Sequence, residues 1–384
     1  MESLKARDVV VIGGGINGCS AAYHLARDGY TVAVVEQGIL AGEASGCNAG
    51  GIRQNGRSKA ELPVAMNAIK QWMSFRDEFG GKFEYVQKGN LIAGYSEKQQ
   101  QDMAKDAQRQ RDQGSEVQHI TDKKVIRELV PALNDQVLCV NFVASDGTAQ
   151  PFMATRFVAK LAQQHGAEFY PLTRVTKLVR KGDALSGVET TRGLIPTKSV
   201  IAASGPWTIS LLKDIGVHLP MLVRRTQACV TAPMPHFIKQ FIVSGTIWVH
   251  QTNAGNVMIG GGGPWEPLSF TKEVSLSSLE RFCRRAQQVV PALKKARLLR
   301  GWAGCLDVTP DFQLIVDKIR NVEGLVVCVG TCGHGFALGP AVGKVCGEMA
   351  TGRKPSVPVE GLSLYRFPPG LDFEATYKAA PEPL

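Results

Sequence analysis

No stretch of the 384-residue chain reaches the roughly 20 uninterrupted apolar residues of a membrane span; the most apolar candidate, Gly324 to Cys346, is broken by His334 and Lys344. Met1 to Asp8 lacks the apolar core of a secretion signal. The nine cysteines do not form two close pairs with nearby histidines, as a structural zinc site would require, and their odd number and scatter argue for reduced thiols. Long basic runs are missing too. Lys+Arg number 44 against 34 Asp+Glu, a net +10, but the densest region (Arg284-Arg285, Lys294-Lys295, Arg297 to Arg300) reads as a solvated helix face. It lacks the interleaved aromatics of a nucleic-acid surface. No internal repeat or low-complexity linker is visible. These absences lead to the expectation of a soluble, cytoplasmic protein with no nucleic-acid partner and no transmembrane segment. At roughly 150 residues per domain the length predicts two or three units, large enough to hold a core without staples.

Glycine is in excess: 41 of 384 residues, about 11% against a usual 7% or so. The glycines cluster, which means that the backbone must approach something closely. Asp8-Val-Val-Val-Ile-Gly13 is a continuous β-branched run, the pattern of a strand buried on both faces of a parallel sheet. Gly15 to Arg27 has helical spacing and Thr31 to Glu36 is a second buried strand, so the amino terminus is one βαβ unit. Farther on, helices are predicted over 60–79, 97–113, 151–165, 276–290 and 339–349. Hairpins are predicted over 83–95 and 175–190, and a buried strand over 324–330. The strand-and-turn stretch 219–263 reads as a mixed sheet.

Gly13, Gly15 and Gly18 form G-x-G-x-x-G between the first strand and first helix. Gly13 permits the tight turn, Gly15 lets a pyrophosphate rest on the backbone near Ile16 and Asn17, and Gly18 lets the helix pack on the strand. The phosphate charge then meets the free N–H groups of the helix start. Glu36, followed by Gln37, ends the next strand where a carboxylate can accept from ribose hydroxyls. This context predicts a dinucleotide, either FAD or NAD.

Ala44-Ser-Gly-Cys-Asn-Ala-Gly-Gly-Ile-Arg53 resembles the loop after the second strand in the FAD enzymes of the D-amino-acid oxidase and sarcosine oxidase superfamily. Thr309-Pro310-Asp311, the 324–330 strand and Cys332-Gly-His-Gly-Phe336 resemble that superfamily's carboxyl-terminal flavin segment. The resemblance spans nearly the whole chain. It implies an α/β plus α+β architecture, a glutathione-reductase-like Rossmann FAD domain (1–84, 143–215 and 320–384) interleaved with a mixed-sheet substrate-binding domain (85–142 and 216–319).

By the same resemblance FAD is held non-covalently. Ser45, Asn48, Gly50 and Gly51 would surround the pyrophosphate and ring, Val175 would clamp the adenine, and Ala203, Gly205 and Trp207 would line the adenosine. Gly330, Gly333, His334, Gly335 and Phe336 would form a ring-facing turn whose helix dipole stabilises charge on the reduced flavin. Such enzymes oxidise a carbon–nitrogen bond: an amine donates a hydride to flavin and the imine is hydrolysed. Cys305 lies near a place where some relatives attach flavin covalently, but reads as a core thiol. Cys328 and Cys332 lack further ligands for a metal.

Where monomeric sarcosine oxidases follow Gly-His-Gly-Phe with a carboxylate-holding lysine, this chain has Ala337. That form resembles the flavin-bearing β subunits of multi-subunit proline, hydroxyproline and opine dehydrogenases. Arg53 and His250 are the substitute anchors, and Trp302 with Phe336 are candidate apolar walls. Asp146-Gly-Thr-Ala-Gln-Pro-Phe152 places Gln150 where heterotetrameric sarcosine oxidase carries an FMN-bearing histidine. The resemblance therefore implies an α subunit, an FMN held without a covalent bond at their junction, and a small iron–sulfur subunit. The alternatives are a self-sufficient D-amino-acid or glycine oxidase that releases peroxide, an NAD enzyme, a flavin-binding subunit without turnover, and an RNA-associated flavoprotein.

Overall fold

The computed structural model describes residues 3–80, 84–263 and 266–375. Val9–Ile12 lies inside a six-stranded sheet, flanked in parallel by Val32–Val35 and Val200–Ala202. Glu168–Tyr170 extends one side in parallel and Leu325–Val329 the other, and Ile315–Lys318 closes the edge antiparallel. The unbroken valine run has its physical reason here. Val9 and Val11 pack into one apolar cluster with the helices Ile16–Arg27, Leu62–Glu78, Pro151–Gln164 and Gly335–Ala350, whereas Val10 and Ile12 pack into another. That second cluster includes residues of an antiparallel three-stranded sheet, Val175–Lys181, Ala184–Thr190 and Gly193–Pro196. A strand covered on both faces has no polar side to alternate with.

The helices Ile16–Arg27 and Gly335–Ala350 cross closely because small residues face each other: a Cβ on Gly343 would meet the Ala21 nitrogen and the Ser20 side chain at 2.5 Å. The second helix begins four residues before the expected Gly339 and carries Pro340 inside it. Proline did not stop it, because the apolar surface of nearly every following residue is buried in the core.

The second sheet has eight strands in the order Leu298–Val308, Leu222–Pro233, Asn256–Gly261, Ile247–Gln251, Phe241–Ser244, Asn90–Gly94, Cys139–Val143, Gln118–Ile120. The pairing of Phe241–Ser244 with Asn90–Gly94 is parallel and joins two distant parts of the chain. Gly260 sits opposite Trp248, whose ring occupies the space of a Cβ at 2.1 Å, which explains one glycine of the 260–263 cluster.

Several expectations are corrected. Phe83 lies outside the described residues, and the hairpin expected over 83–95 does not form. Val86–Gln87 instead pairs with Gly147–Thr148 in a small separate sheet, and Asn90–Gly94 pairs with Cys139–Val143. Arg297 to Arg300 are not on a helix: Leu298–Val308 is a strand paired along its length with Leu222–Pro233, the helix having ended at Val289. Ile315–Lys318, inside the 216–319 segment expected for the substrate unit, belongs to the six-stranded sheet, so the chain returns there before residue 320. No helix among the described residues is long and apolar enough to cross a membrane.

Candidate functional site

The carboxyl ends of the parallel strands open on a cavity of about 570 Å³, the size of a cofactor or ligand site. Gly13, at φ +111°, turns the chain beneath Ala203, whose carbonyl oxygen would lie 2.5 Å from a Cβ there. Gly15 is the N-cap of the first helix and offers no capping side chain; a Cβ on it would meet Ser45 Oγ at 2.9 Å. The helix start therefore opens into the cavity with backbone N–H groups available. Ile16 N–H donates to Ser45 Oγ at 3.0 Å. Glu36 takes N–H donation from Gly14 and Gly38, both at 2.7 Å.

Of the residues expected to touch the dinucleotide, Gly13, Gly15, Ile16, Asn17, Glu36, Gln37, Ser45, Asn48, Val175, Ala203, Gly205, Trp207, Gly333, Gly335 and Phe336 all line this cavity. Four others stand behind it. Gly18 packs on the Gly13 carbonyl, Gly50 on Ala149, and Gly51 against the Phe241 ring. Gly330 donates its N–H to Asp307 Oδ2 at 2.7 Å. Asp307 also accepts from Thr331 Oγ1 at 2.9 Å, and its backbone oxygen from Cys332 N–H. This buried carboxylate, which the sequence reading missed, thus braces the turn; burial pushes its pKa up. The bare N-cap of Gly15, the close-packed glycine cradle and the uncapped start of helix Gly335–Ala350 fit FAD. The N-cap of Gly15 would hold the pyrophosphate and the start of helix Gly335–Ala350 would face the ring system.

Behind the 330–336 turn lies a polar cluster. His334 Nδ1 is 3.0 and 3.2 Å from the Glu61 carboxylate oxygens. Glu61 also accepts from Leu314 N–H at 3.2 Å. Burial alone would raise the Glu61 pKa, but His334, Arg57 and the Leu314 N–H hold it down at about 2. Burial, helped by Arg57, lowers His334 to about 4. Arg53 donates to the Asn55 carbonyl, and burial lowers its pKa against the pull of Asp146 and Glu61. Arg57 is 2% exposed, its Nη1 has no hydrogen-bond partner among the described residues, and burial followed by Arg53 depresses it to about 9. Asp146 accepts the N–H groups of Gln54 and Asn55 at 2.9 and 3.1 Å, and burial lifts it to about 6.

Arg57, Glu61 and Asp146 were not legible as site residues: two sit in a loop and at a helix start, and the third is about 90 residues away, joined only by folding. The remaining sequence candidates are placed elsewhere. His250 lines no part of the cavity; it is buried, stacks on Phe241 at 5.4 Å, and faces the backbone of Ala49 and Gln251. Burial lowers its pKa to about 3. Trp302 donates from Nε1 to the Cys47 carbonyl at 2.8 Å and ties the strand Leu298–Val308 to the Ala44–Cys47 helical turn. Gln150 caps the helix Pro151–Gln164, its side chain accepting from Met153 N–H at 2.6 Å. Ala337 is buried, and its carbonyl accepts from Trp72 Nε1 at 2.9 Å.

The model of the family described as "DAO: FAD dependent oxidoreductase" matches residues 8–349. The chain is 25% identical to a sarcosine oxidase subunit beta of Rhizobium meliloti over 372 residues, covering 94% of this chain and 89% of that one. It is 23% identical to the glycine oxidase of Geobacillus kaustophilus, with 94% and 97% covered. Among solved structures it is similar to the L-proline dehydrogenase from P. horikoshii, with TM-score 0.90 and 29% identity over 94% of this chain and 98% of that chain.

Proposed function

The chain belongs to the DAO family of FAD-dependent oxidoreductases, and from that premise we propose that it oxidises the carbon–nitrogen bond of an amino-acid-type substrate, one with a secondary or cyclic amine of the proline, hydroxyproline, sarcosine or opine kind. The observation that carries the reading is the pair of guanidinium groups beside His334, the half-buried Arg53 and the buried Arg57, whose Nη1 has no hydrogen-bond partner among the described residues. Positive charge taken out of water is costly unless anions meet it; Glu61 and Asp146 offset part of it here, and a substrate carboxylate is the further anion that amino-acid chemistry brings. Similarity to enzymes named for sarcosine and proline supports the same substrate class, and similarity to a glycine oxidase supports an amino-acid substrate more broadly. Bound FAD supplies the hydride acceptor. The protein's own tasks are to anchor the carboxylate at Arg53 and Arg57, orient the amine, and exclude water with Phe336 and the Trp72 ring packed against it.

Work as the β subunit of a hetero-oligomer is the finer part of this reading, supported by similarity along almost the whole chain to three sarcosine oxidase β subunits. Such an assembly would add an α subunit, an FMN at the junction and a small iron–sulfur subunit; a self-sufficient oxidase would pass electrons to oxygen directly. The test is to purify the chain alone and with co-expressed neighbours, to quantify FAD and FMN after acid precipitation, and to follow anaerobic bleaching with sarcosine, proline, hydroxyproline isomers and opines. A preparation that takes up no FAD, or FAD that none of these amines bleaches, overturns the reading. Rapid peroxide from the lone chain with FAD and no FMN removes the subunit role alone.

A further inference from the structure

Glu61 stands at the N-cap of helix Leu62–Glu78 yet makes no side-chain cap there; its carboxylate turns inward instead and is 1% exposed. Its partners are the Leu314 N–H and His334 Nδ1. An ionised carboxylate can only accept, so the Nδ1 of His334 carries the proton and a neutral ring leaves Nε2 with a free lone pair. Nε2 has no partner among the described residues and is not sealed in, for the His334 side chain is 22% exposed. His334 does not itself line the cavity; it stands between Gly333 and Gly335, which do, and its side chain is partly open to solvent beside them. The charged groups that face it are Glu61 from the helix start and Arg53 and Arg57 from the preceding loop. Cys332, in its own turn, stays a thiol because burial pushes it up to about 12. The imidazole is thus held neutral in one tautomer, with its acceptor edge accessible.

We infer that His334 Nε2 accepts the N–H of the substrate amine, that Glu61 is the positioning residue that fixes this tautomer, and that the site consequently selects amino acids whose nitrogen bears a hydrogen over N,N-dialkylated ones. This rests on the carbon–nitrogen reading above. A neutral secondary amine has one N–H and one lone pair. Donation of the N–H to Nε2 leaves the lone pair free for the departure of hydride from the adjacent carbon, and no proton need be transferred to the histidine. A tertiary amine places an alkyl group against Nε2 and strips it of water with nothing in return. A polar group left unpaired in this way is expected to give about 10- to 100-fold discrimination in kcat/KM.

The test uses the FAD-loaded protein labelled with ¹⁵N-histidine, which gives seven imidazoles to resolve. The His334 resonance, assigned by its loss in His334→Leu, is expected to report the Nδ1–H tautomer at neutral pH and to lose that bias in Glu61→Gln. An Nε2–H tautomer in the wild type overturns the inference without any substrate. In parallel, kcat/KM is compared for sarcosine against N,N-dimethylglycine and for proline against N-methylproline. The ratio is expected to collapse about tenfold or more in His334→Leu, chiefly through loss with the N–H substrates, and partly in Glu61→Gln. A merely structural role would lower both members of each pair equally, and that result overturns the inference. Absence of bleaching by every one of these amines removes the carbon–nitrogen reading and this inference together; bleaching with unchanged ratios removes this inference only.

Discussion

A methyl group placed on Gly18 would lie 2.0 Å from the carbonyl oxygen of Gly13. The first helix is packed on the first strand so tightly that the two glycines share the space of one side chain. Gly18→Ala must push the helix start away, at a cost of about 1–3 kcal/mol for overpacking against backbone, and with it the N–H groups that face the pyrophosphate. FAD retained through gel filtration is expected to fall at least about tenfold, with a lowered melting temperature. Full flavin occupancy and unshifted melting would show that the contact relaxes freely.

Glu36 is engaged even without a ribose, because its two oxygens take the Gly14 and Gly38 N–H groups. Glu36→Ala removes a charged acceptor from two backbone donors at once. Hydrogen bonds to charged groups contribute about 1.5–3 kcal/mol each, so the Kd for FAD, measured by quenching of flavin fluorescence on addition of apoprotein, is expected to rise at least about tenfold. Glu36→Gln, which keeps one acceptor, should fall between.

The glycine fingerprint, the two buried strands and Glu36 were legible because each depends on local chain geometry: a strand, a turn and a helix within 30 residues impose their own residue types. The turn at 330–336 was legible by resemblance, and its glycines proved to have two different uses, Gly333 and Gly335 at the cavity and Gly330 on Asp307. His334 was legible by the same resemblance, but its partners Arg57, Glu61 and Asp146 were not, because charged residues in loops carry no periodicity and only the fold buries them. The same limit misplaced Arg297 to Arg300. A charged stretch after a helix reads as more helix, whereas long-range pairing with Leu222–Pro233 makes it a strand. His250 lies off the cavity because Phe241 and Trp248 pack around its ring, a tertiary arrangement that the residue types of its strand do not encode.

Trp72 links the helix Leu62–Glu78 to the ring-facing turn through its hydrogen bond to the Ala337 carbonyl and its contact with Phe336, 5.0 Å between ring centroids. Trp72→Phe removes the donor and part of the ring. Stability is expected to fall by about 1–3 kcal/mol, seen as a lower urea midpoint with unchanged slope. Wild-type stability in this variant would mean that water replaces the indole without cost.

Three histidines are held neutral mainly by burial: His24 and His250 at about 3 and His334 at about 4, against 6.5 when exposed. Between pH 4 and 6.5 the unfolded chain therefore binds more protons than the folded one at these sites. Stability is fully present above pH 6.5 and is lost on acidification, at up to about 1.4 kcal/mol per pH unit for each histidine. Urea unfolding at a series of pH values should show this slope before the carboxylates protonate. A flat profile from pH 6.5 to 4 would contradict the burial of neutral imidazoles.

Asp146 acts in the opposite direction over nearly the same window. Burial raises its pKa to about 6, from 3.8, so between those values the folded protein binds the extra proton, and this group alone makes stability fall as pH rises. Its carboxylate nevertheless serves two donors, the backbone N–H groups of Gln54 and Asn55. Asp146→Asn retains one acceptor oxygen and turns an amide against the other N–H. The variant is therefore expected to lose about 1–3 kcal/mol at pH 7 through an unsatisfied buried donor. Removal of the titration that offsets the histidines should at the same time steepen the fall of stability between pH 6 and 4 by up to about 1.4 kcal/mol per pH unit. The two effects separate cleanly in the measurement: the first lowers the whole profile and the second tilts it. A profile lowered but parallel to the wild type would show that Asp146 stays ionised through this range, held by Arg53 and Arg57 more strongly than burial opposes them.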